Sequence, residues 1–434
     1  MIIVDTLLKN RAAENNPVRI GVFGAGFMGR GLVNQVVRYT PGMHVGVLCN
    51  RTVSAARQAL LDAGVPPSDI VEAETVAAAD IAVEQGKSVI TADPLVACAM
   101  SQVDVLIEAT GHVEYGARVT TAAIENSKHM VLMNAELDST VGPLLKQMAD
   151  QAGVILTGCD GDQPGVQINL LRFVESIGLI PRVCGNIKGL QDRYRNPTTQ
   201  EGFAKQWGQT PHMVTSFADG TKISFEQAIV ANATGFKVAQ RGMIGIEHKG
   251  HVDELTGAYD LDQIRALGGI VEYVVGSQPS PGVYVFAEAQ DDMQRHYLNY
   301  GKLGQNDLYS FYVPYHLTIF EVPLSAARVA LAQDTVIAPI AGPVVDVITC
   351  AKTDLKAGAK LDGLGGYMTY GMCENYDVVR SQNLLPIGLA ENATLKRDIS
   401  KDAVLTYDDV DLPTDSLTVK LRQQQDEMFP VTSP

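Results

Sequence analysis

The chain has no Cys-x-x-Cys pair, no excess of basic residues and no long apolar run. Its six cysteines (Cys49, Cys98, Cys159, Cys184, Cys350 and Cys373) are scattered over 434 residues. That scatter offers neither zinc-ligand spacing nor a disulfide framework, so they are expected to be reduced and mostly buried. No stretch approaches the about 20 apolar residues of a membrane span, and no membrane association is expected. The opening segment, MIIVDTLLKNRAAENNP, lacks the basic start, long apolar centre and small-residue cleavage site of a signal peptide, so a cytoplasmic location is expected. With 34 Lys and Arg against 49 Asp and Glu, the net charge is −15. A general nucleic-acid partner needs a basic face, so none is expected, although a local basic patch can still serve a small anion. What the chain does have is apolar content, 46% against 19% charged. At this length that suits two or three globular domains with substantial cores.

The most informative stretch is VRIGVFGAGFMGRGLVNQVVR, Val18 to Arg38. VRIGVFG reads as a buried strand, and FMGRGLVNQVVRY has helical spacing. Between them Gly24 makes the tight turn, Gly26 lets the backbone approach a pyrophosphate, and Gly29 lets helix and strand pack closely. The helix start, at Phe27 and Met28, supplies unpaired N–H groups to the phosphates. The alternative is a tight strand–helix turn that holds no ligand. The next strand, HVGVLCNRT, ends at Asn50 and Arg51, where an NAD enzyme usually carries an acid for the ribose 2′-hydroxyl. A carboxylate would repel a 2′-phosphate and an arginine attracts it, which favours NADP(H) over NAD(H); otherwise Arg51 is a solvated surface arginine.

Strand–helix alternation continues. VDVLIEATGHVEYG gives a strand ending in Glu108-Ala109-Thr110-Gly111, which adds Thr110 and Gly111 to the cofactor candidates. KHMVLMNAELD and AGVILTGCDGDQPG give two more strands, with the helix STVGPLLKQMAD between them. This pattern means a doubly wound parallel sheet, with its crevice at the carboxyl ends of the strands. Residues 1–160 are therefore expected to form an α/β Rossmann domain. NAELD and CDGDQPG stand at strand ends. Asp138 is expected to cap a helix, and Asp160 can simply end a strand.

From about 161 to 317 the character changes to an α+β substrate or dimerisation domain. VQINLLRFVESIG reads as a helix and RVCGNIKGL as a strand. A long polar stretch follows, from Gln191 to Phe236, expected to be loop and to be functional because strands flank it. Between Arg182 and Lys205 stand Arg182, Lys188, Arg193, Arg195 and Lys205 against Asp192 and Glu201, an excess of three positive charges. The stretch also holds the single tryptophan, Trp207. Either it binds a small phosphate or carboxylate, with Arg as fork and Lys as point charge, or it is a cationic surface loop. Further on, Tyr315 and His316 precede an amphipathic helix, and His316 is either structural or a site residue. From Val344 to the end, TDLKAGAKLDGL and RDISKDAVLTYDDV look like weak copies of one pattern, which suggests a small β-rich module with little chemistry of its own.

Taken together, these pieces resemble a known group. The first three hundred or so residues look like the homoserine dehydrogenase-like oxidoreductases, and the tail, 344–434, resembles a SAF domain. The combination, with GDQPG, GNIKGLQDRYRNPT, HMVTSFADGTK and YVPYHLTIFEVPLS, resembles the group that includes the 1-deoxy-D-xylulose 5-phosphate reductoisomerase-like enzymes. The resemblance implies that a helix at about 318–335 returns to complete the nucleotide domain and that the assembly is a homo-oligomer, a dimer or higher. Homoserine dehydrogenases carry an Asn-Lys pair where this chain reads Asn134-Ala135-Glu136. Their substrate motif is replaced by GNIKGLQDRYRNP, so a phosphorylated or acidic polyol suits the basic stretch better than homoserine.

The leading expectation is thus NADPH-dependent reduction of a carbonyl in a small anionic polyol or ketose, coupled on this resemblance to isomerisation of a deoxypentulose phosphate in an isoprenoid-precursor route. Lys188 is the first candidate for proton donor or carbonyl polariser. Asp162 and Glu136 would orient it or hold Mg²⁺ or Mn²⁺ on adjacent substrate oxygens. Arg193, Arg195 and Lys222 would grip the anionic end, with Asp192 beside them. Two alternatives stay open: a plain dehydrogenase of a sugar acid or amino-alcohol, and a nucleotide-sensing protein that kept the fold without catalysis.

Overall fold

Apolar runs bounded by glycine turns become the strands of a seven-stranded sheet in the computed structural model, which describes residues 3–431. Its strands are β1 (Val18–Phe23), β2 (Met43–Cys49), β3 (Ile70–Glu72), β4 (Ser88–Thr91), β5 (Val105–Glu108), β6 (His129–Leu132) and β7 (Leu156–Gly158), in the order β3-β4-β2-β1-β5-β6-β7. All neighbours pair in parallel. Both faces of these strands are covered, which is why β1, β2, β4 and β5 read as nearly unbroken apolar runs rather than alternating ones. The intervening helices are α1 (Val4–Ala13), α2 (Phe27–Tyr39), α3 (Val53–Ala63), α4 (Val76–Glu84), α5 (Pro94–Ala99), α6 (Val113–Glu125) and α7 (Ala135–Gln151). Side chains of Thr75, Asp93 and Asn134 cap α4, α5 and α7. This is a Rossmann-like α/β sheet. The chain runs from β1 to β2 on one side and to β5 on the other, so the topological switch point lies between β1 and β5.

Contacts divide the chain into two compact units. The first holds the residues up to Asp138, Leu144–Asp162 and Leu317–Ala338. The late segment begins with a helix, Thr318–Ala327, continued by one turn at Arg328–Ala332. Asp160 fastens it there. Its N–H donates to Ser325 Oγ at 2.7 Å, and its carboxylate takes Ser325 Oγ at 3.0 Å and Arg328 Nη1 at 2.6 Å. Asp160 is therefore more than the end of a strand: a buried carboxylate needs a partner, and one comes from 168 residues downstream.

The second unit holds Ser139–Pro143, Gln163–His316 and the chain from Pro339 on. Its elements are α8 (Gln163–Ser176), β8 (Ile180–Lys188), α9 (Pro197–Trp207), α10 (Pro211–Ala218), α11 (Thr221–Thr234), β9 (Ile246–Glu247), α12 (Leu261–Leu267), β10 (Ile270–Val275), β11 (Gly282–Glu288), α13 (Asp292–Tyr300) and β12 (Leu308–Val313). The five strands lie in the order β12-β11-β8-β10-β9. β8 runs parallel to β10 and antiparallel to β11, which is antiparallel to β12. The carboxyl ends of β8, β10 and β12 therefore share one edge of this sheet. α8 and α11 cover one face; Val252, Leu255, Tyr259 and Ile264 pack with Val183 and Ile187 on the other.

The polar stretch expected to be loop is instead three helices, α9 to α11. Asn196 caps α9 in a reciprocal pair with Thr199, and Thr210 caps α10. Pro197 and Pro211 occupy first-turn positions, so the polar composition is that of helix starts and wet helix faces, not of a loop.

The tail contributes the antiparallel pair β13 (Val345–Ala351) and β14 (Thr369–Asn375). Its two similar motifs pair with each other. Leu355 and Ile399 exchange backbone bonds of 2.8 and 3.0 Å, Asp398 Oδ1 accepts Ala357 N–H at 2.9 Å, and Asp354 Oδ1 accepts Lys401 N–H at 2.8 Å. Where sequence sets 344–434 apart as a module of its own, contacts join it to the middle segment. Gly371 N–H donates to Thr221 Oγ1 at 2.9 Å, and Cys373 Sγ lies 3.1 Å from Ser224 O. All six cysteines are buried, and none is in a disulfide. Among the described residues no helix is long and apolar enough to cross a membrane.

Candidate functional site

In the first unit the glycine turn has the geometry a dinucleotide phosphate requires. Gly24 adopts φ +102°, in the region open to glycine. A Cβ on Gly29 would fall 2.0 Å from Gly24 O, so the third glycine is imposed by backbone contact. A Cβ on Gly26 would meet no atom within 4 Å, and Gly26 begins α2 without a side-chain cap. The first N–H groups of α2, at Phe27 and Met28, thus end the helix with its positive dipole and no internal acceptor. Asn50 is bonded within the turn. Its Oδ1 accepts Ala25 N–H at 3.0 Å and its Nδ2 donates to Thr52 O at 2.9 Å, which braces the turn. Arg51 next to it is exposed.

On the other side of the switch point Thr110 is held by Glu108, which accepts its N–H at 2.9 Å and also its hydroxyl. Glu108 is wholly buried. Burial outweighs the Thr110 bonds and pushes its carboxyl up to about 7. Glu108 is not among the cofactor candidates that the sequence offers, although an acid ending the otherwise apolar VLIE strand is a visible signal. Gly111 follows with φ +72°.

Asp138 is not a cap. Asn134 fills that position, accepting Leu137 N–H at 3.0 Å, and Asp138 lies in the helix after it. Burial alone raises its carboxyl to about 7. Glu136 is buried in the first turn of α7, after β6. Asp162 is half-buried immediately before α8 and belongs to the first unit. Among the described residues no group of three or more His, Cys, Asp or Glu is disposed to hold a metal ion. The donor set does not fit the divalent cation expected on Glu136 and Asp162, because hard cations need several converging oxygens.

In the second unit Lys188 is the last residue of β8 and half-buried. Its carbonyl accepts Gly276 N–H at 2.7 Å, and it pairs with Val275 of β10. Asn186, two residues earlier and on the same face of the strand, is fully buried in a row of hydrogen bonds. Gln167 Nε2 donates to Asn186 Oδ1 at 2.7 Å, Asn186 Nδ2 to Glu226 Oε2 at 3.0 Å, and Gln227 Nε2 to Gln167 Oε1 at 3.3 Å. These residues were missed in the sequence; a polar side chain inside a buried strand, at N-I-K, was the available sign. Lys222 is half-buried on α11, one turn before Glu226. His316 follows β12 at the same sheet edge as Lys188, its Nε2 3.1 Å from Gln163 Nε2.

The basic excess resolves into separate pairings. Arg182 is bound to Glu288, which also takes Arg265. Arg195 Nε meets Asp192 Oδ2 at 3.1 Å. Arg193 stacks on Tyr370 of the tail, its guanidinium carbon 5.5 Å from the ring centre. The arginines expected to grip an anion thus each meet a neighbouring protein group.

Residues 161–322 match the family described as "Oxidoreductase DRL, catalytic domain", so the middle of the chain is similar to an oxidoreductase catalytic domain. No curated protein matches the chain. Among solved structures it is similar to an NAD-binding oxidoreductase from Klebsiella pneumoniae (17% identity over 42% of this chain and 45% of that one, TM-score 0.30). It is also similar to myo-inositol dehydrogenase from Lactobacillus casei, solved with NAD(H) and myo-inositol (15% identity over 42% and 49%, TM-score 0.31). A third is KijD10, a 3-ketoreductase from Actinomadura kijaniata solved with NADP (13% identity over 74% and 91%, TM-score 0.37). The chain spans about half the length of the first two, 45% and 49%.

Proposed function

We propose that this protein is an NAD(P)-dependent oxidoreductase, preferring NADP(H), that acts on a small anionic polyol or ketose. The observation that carries the proposal is the uncapped α2 N-terminus at Gly26, where even a Cβ would meet no atom within 4 Å, held against β1 by the close contact of Gly29 with Gly24 O. The match of residues 161–322 supports oxidoreductase chemistry for the second unit. The chemistry a bound nicotinamide supplies is hydride transfer to or from a carbon. This chain's residues do the rest. The N–H groups at the start of α2 hold the pyrophosphate, and Arg51 attracts a 2′-phosphate. Lys188 holds the carbonyl oxygen and gives it a proton. Lys222 balances the anionic end.

Within that class the finer proposal is reduction of 1-deoxy-D-xylulose 5-phosphate with isomerisation. A second reading, plain reduction of a sugar acid's carbonyl, is favoured because no three His, Cys, Asp or Glu among the described residues are disposed to hold the cation that rearranging a carbon skeleton calls for on vicinal oxygens. A screen of NADPH oxidation and NADP⁺ reduction with phosphorylated ketoses, sugar acids and homoserine separates them. Oxidation with the deoxypentulose phosphate supports the first, and turnover of a sugar acid alone supports the second. Tight NADPH binding with no turnover of any substrate would make the protein a nucleotide sensor.

Cofactor preference has its own test. Arg51→Asp places a negative charge where the 2′-phosphate would lie and is expected to weaken NADPH binding by about tenfold or more, about 1.4 kcal/mol, with NADH affected less. Fluorescence titration reads both affinities. Equal affinity of the unaltered protein for NADPH and NADH would remove the preference.

A further inference from the structure

Lys352 stands one residue past β13, and its side chain is 3% exposed. An ammonium group has three donors, and here all three are used. Nζ donates to Arg195 O at 2.7 Å, to Asp219 Oδ2 at 2.9 Å and to Gly366 O at 2.8 Å. Asp219, whose side chain is 0% exposed, ends α10, and its Oδ1 accepts the N–H of Thr221, the first residue of α11. The next residue is Lys222. One tail ammonium therefore fixes both the backbone of the segment after β8 and the start of α11.

Neighbouring contacts act on the same segment. Tyr194 Oη donates to Asp402 Oδ2 at 2.8 Å, Lys401 Nζ lies 3.6 Å from the centre of the Tyr194 ring, and Thr198 Oγ1 is 2.9 Å from Tyr367 Oη. Asp192 N–H donates to Ala218 O at 2.7 Å, which ties that segment to the end of α10. A tail that were only an assembly module would have no need to bury a lysine among the backbone of another segment.

We propose that Lys352 is a positioning residue of the second unit: its ammonium holds the Arg195 backbone and, through Asp219, the α11 start that carries Lys222. The tail is then a fixed support of the substrate subsite rather than a lid over it. That the subsite is one for substrate rests on the function proposed above; the positioning itself does not.

The test uses the full chain. Lys352→Met alone leaves Asp219 buried without its partner and can fail to fold, so the decisive variant is the pair Lys352→Met with Asp219→Asn, which removes both charges. Three quantities are measured: NADPH affinity, hydrogen exchange of backbone amides, and KM and kcat with 1-deoxy-D-xylulose 5-phosphate. The double variant is expected to bind NADPH as the unaltered protein does, while exchange across 189–222 speeds by about tenfold or more and stays unchanged across 18–132. KM is expected to rise by about tenfold with kcat within about threefold. Unchanged exchange across 189–222 would overturn the proposal, as would faster exchange everywhere, which marks a merely structural pair. If the unaltered protein fails to turn over the ketose phosphate, the finer reading as a ketose-phosphate enzyme falls while the exchange result still decides the positioning.

Discussion

Lys188→Met is expected to lower kcat by about 10²- to 10⁴-fold, the range over which a positioned proton donor contributes. Methionine keeps the length of the side chain and removes its charge and its donors. The carbonyl of residue 188 would still accept Gly276 N–H, because that bond, 2.7 Å in the protein, is made by backbone alone. Strand pairing with β10 is likewise independent of the side chain. Melting temperature and NADPH affinity should therefore stay close to those of the unaltered protein, and the loss should appear in turnover. A control is Asn186→Ala, which breaks the buried row through Gln167 and Glu226 and should cost stability as well as activity. Turnover of Lys188→Met within threefold of the unaltered enzyme, with its preferred substrate, would take the lysine out of the chemistry.

Gly29→Ala is the second large effect. The added Cβ would sit 2.0 Å from Gly24 O and 2.9 Å from Gly24 C, both backbone atoms that cannot rotate away. Either α2 or the β1 turn must shift, and overpacking of this kind costs about 1–3 kcal/mol. Binding should suffer more than folding, with NADPH affinity down by about 100-fold, about 2.7 kcal/mol. Gly26→Ala separates the two causes. Its Cβ meets nothing within 4 Å and its φ is −77°, so the fold should be untouched. The methyl group would still stand where the pyrophosphate must approach, and cofactor affinity should fall without loss of melting temperature. Wild-type NADPH affinity in Gly26→Ala would mean that this turn is only a turn.

The first unit was the more legible in sequence because its signals are local. Apolar strands, a G-x-G-x-x-G turn and helical spacing each lie within a few residues, and they give the same Rossmann sheet that the structure shows. The helices α9 and α10 also carry local signals, Asn196-Pro197 and Thr210-Pro211, but the polar composition around them is equally that of a loop. Side-chain partnership was a different matter. Whether Arg193 faces solvent, a substrate or Tyr370 depends on a residue 177 positions away. Lys352 and Asp219 meet across 133 positions, and Asp160 meets Arg328 across 168. Periodicity decides which face a residue occupies; it carries no information about what another part of the chain brings to that face. The sequence by itself determined the glycine turn, the parallel sheet and the place of Lys188 at a strand end, all set by short-range sterics and burial. Only the tertiary structure decided that the arginines of the basic stretch are already engaged and that the tail packs with the middle segment, because buried charges are settled by whichever partner the folded chain delivers.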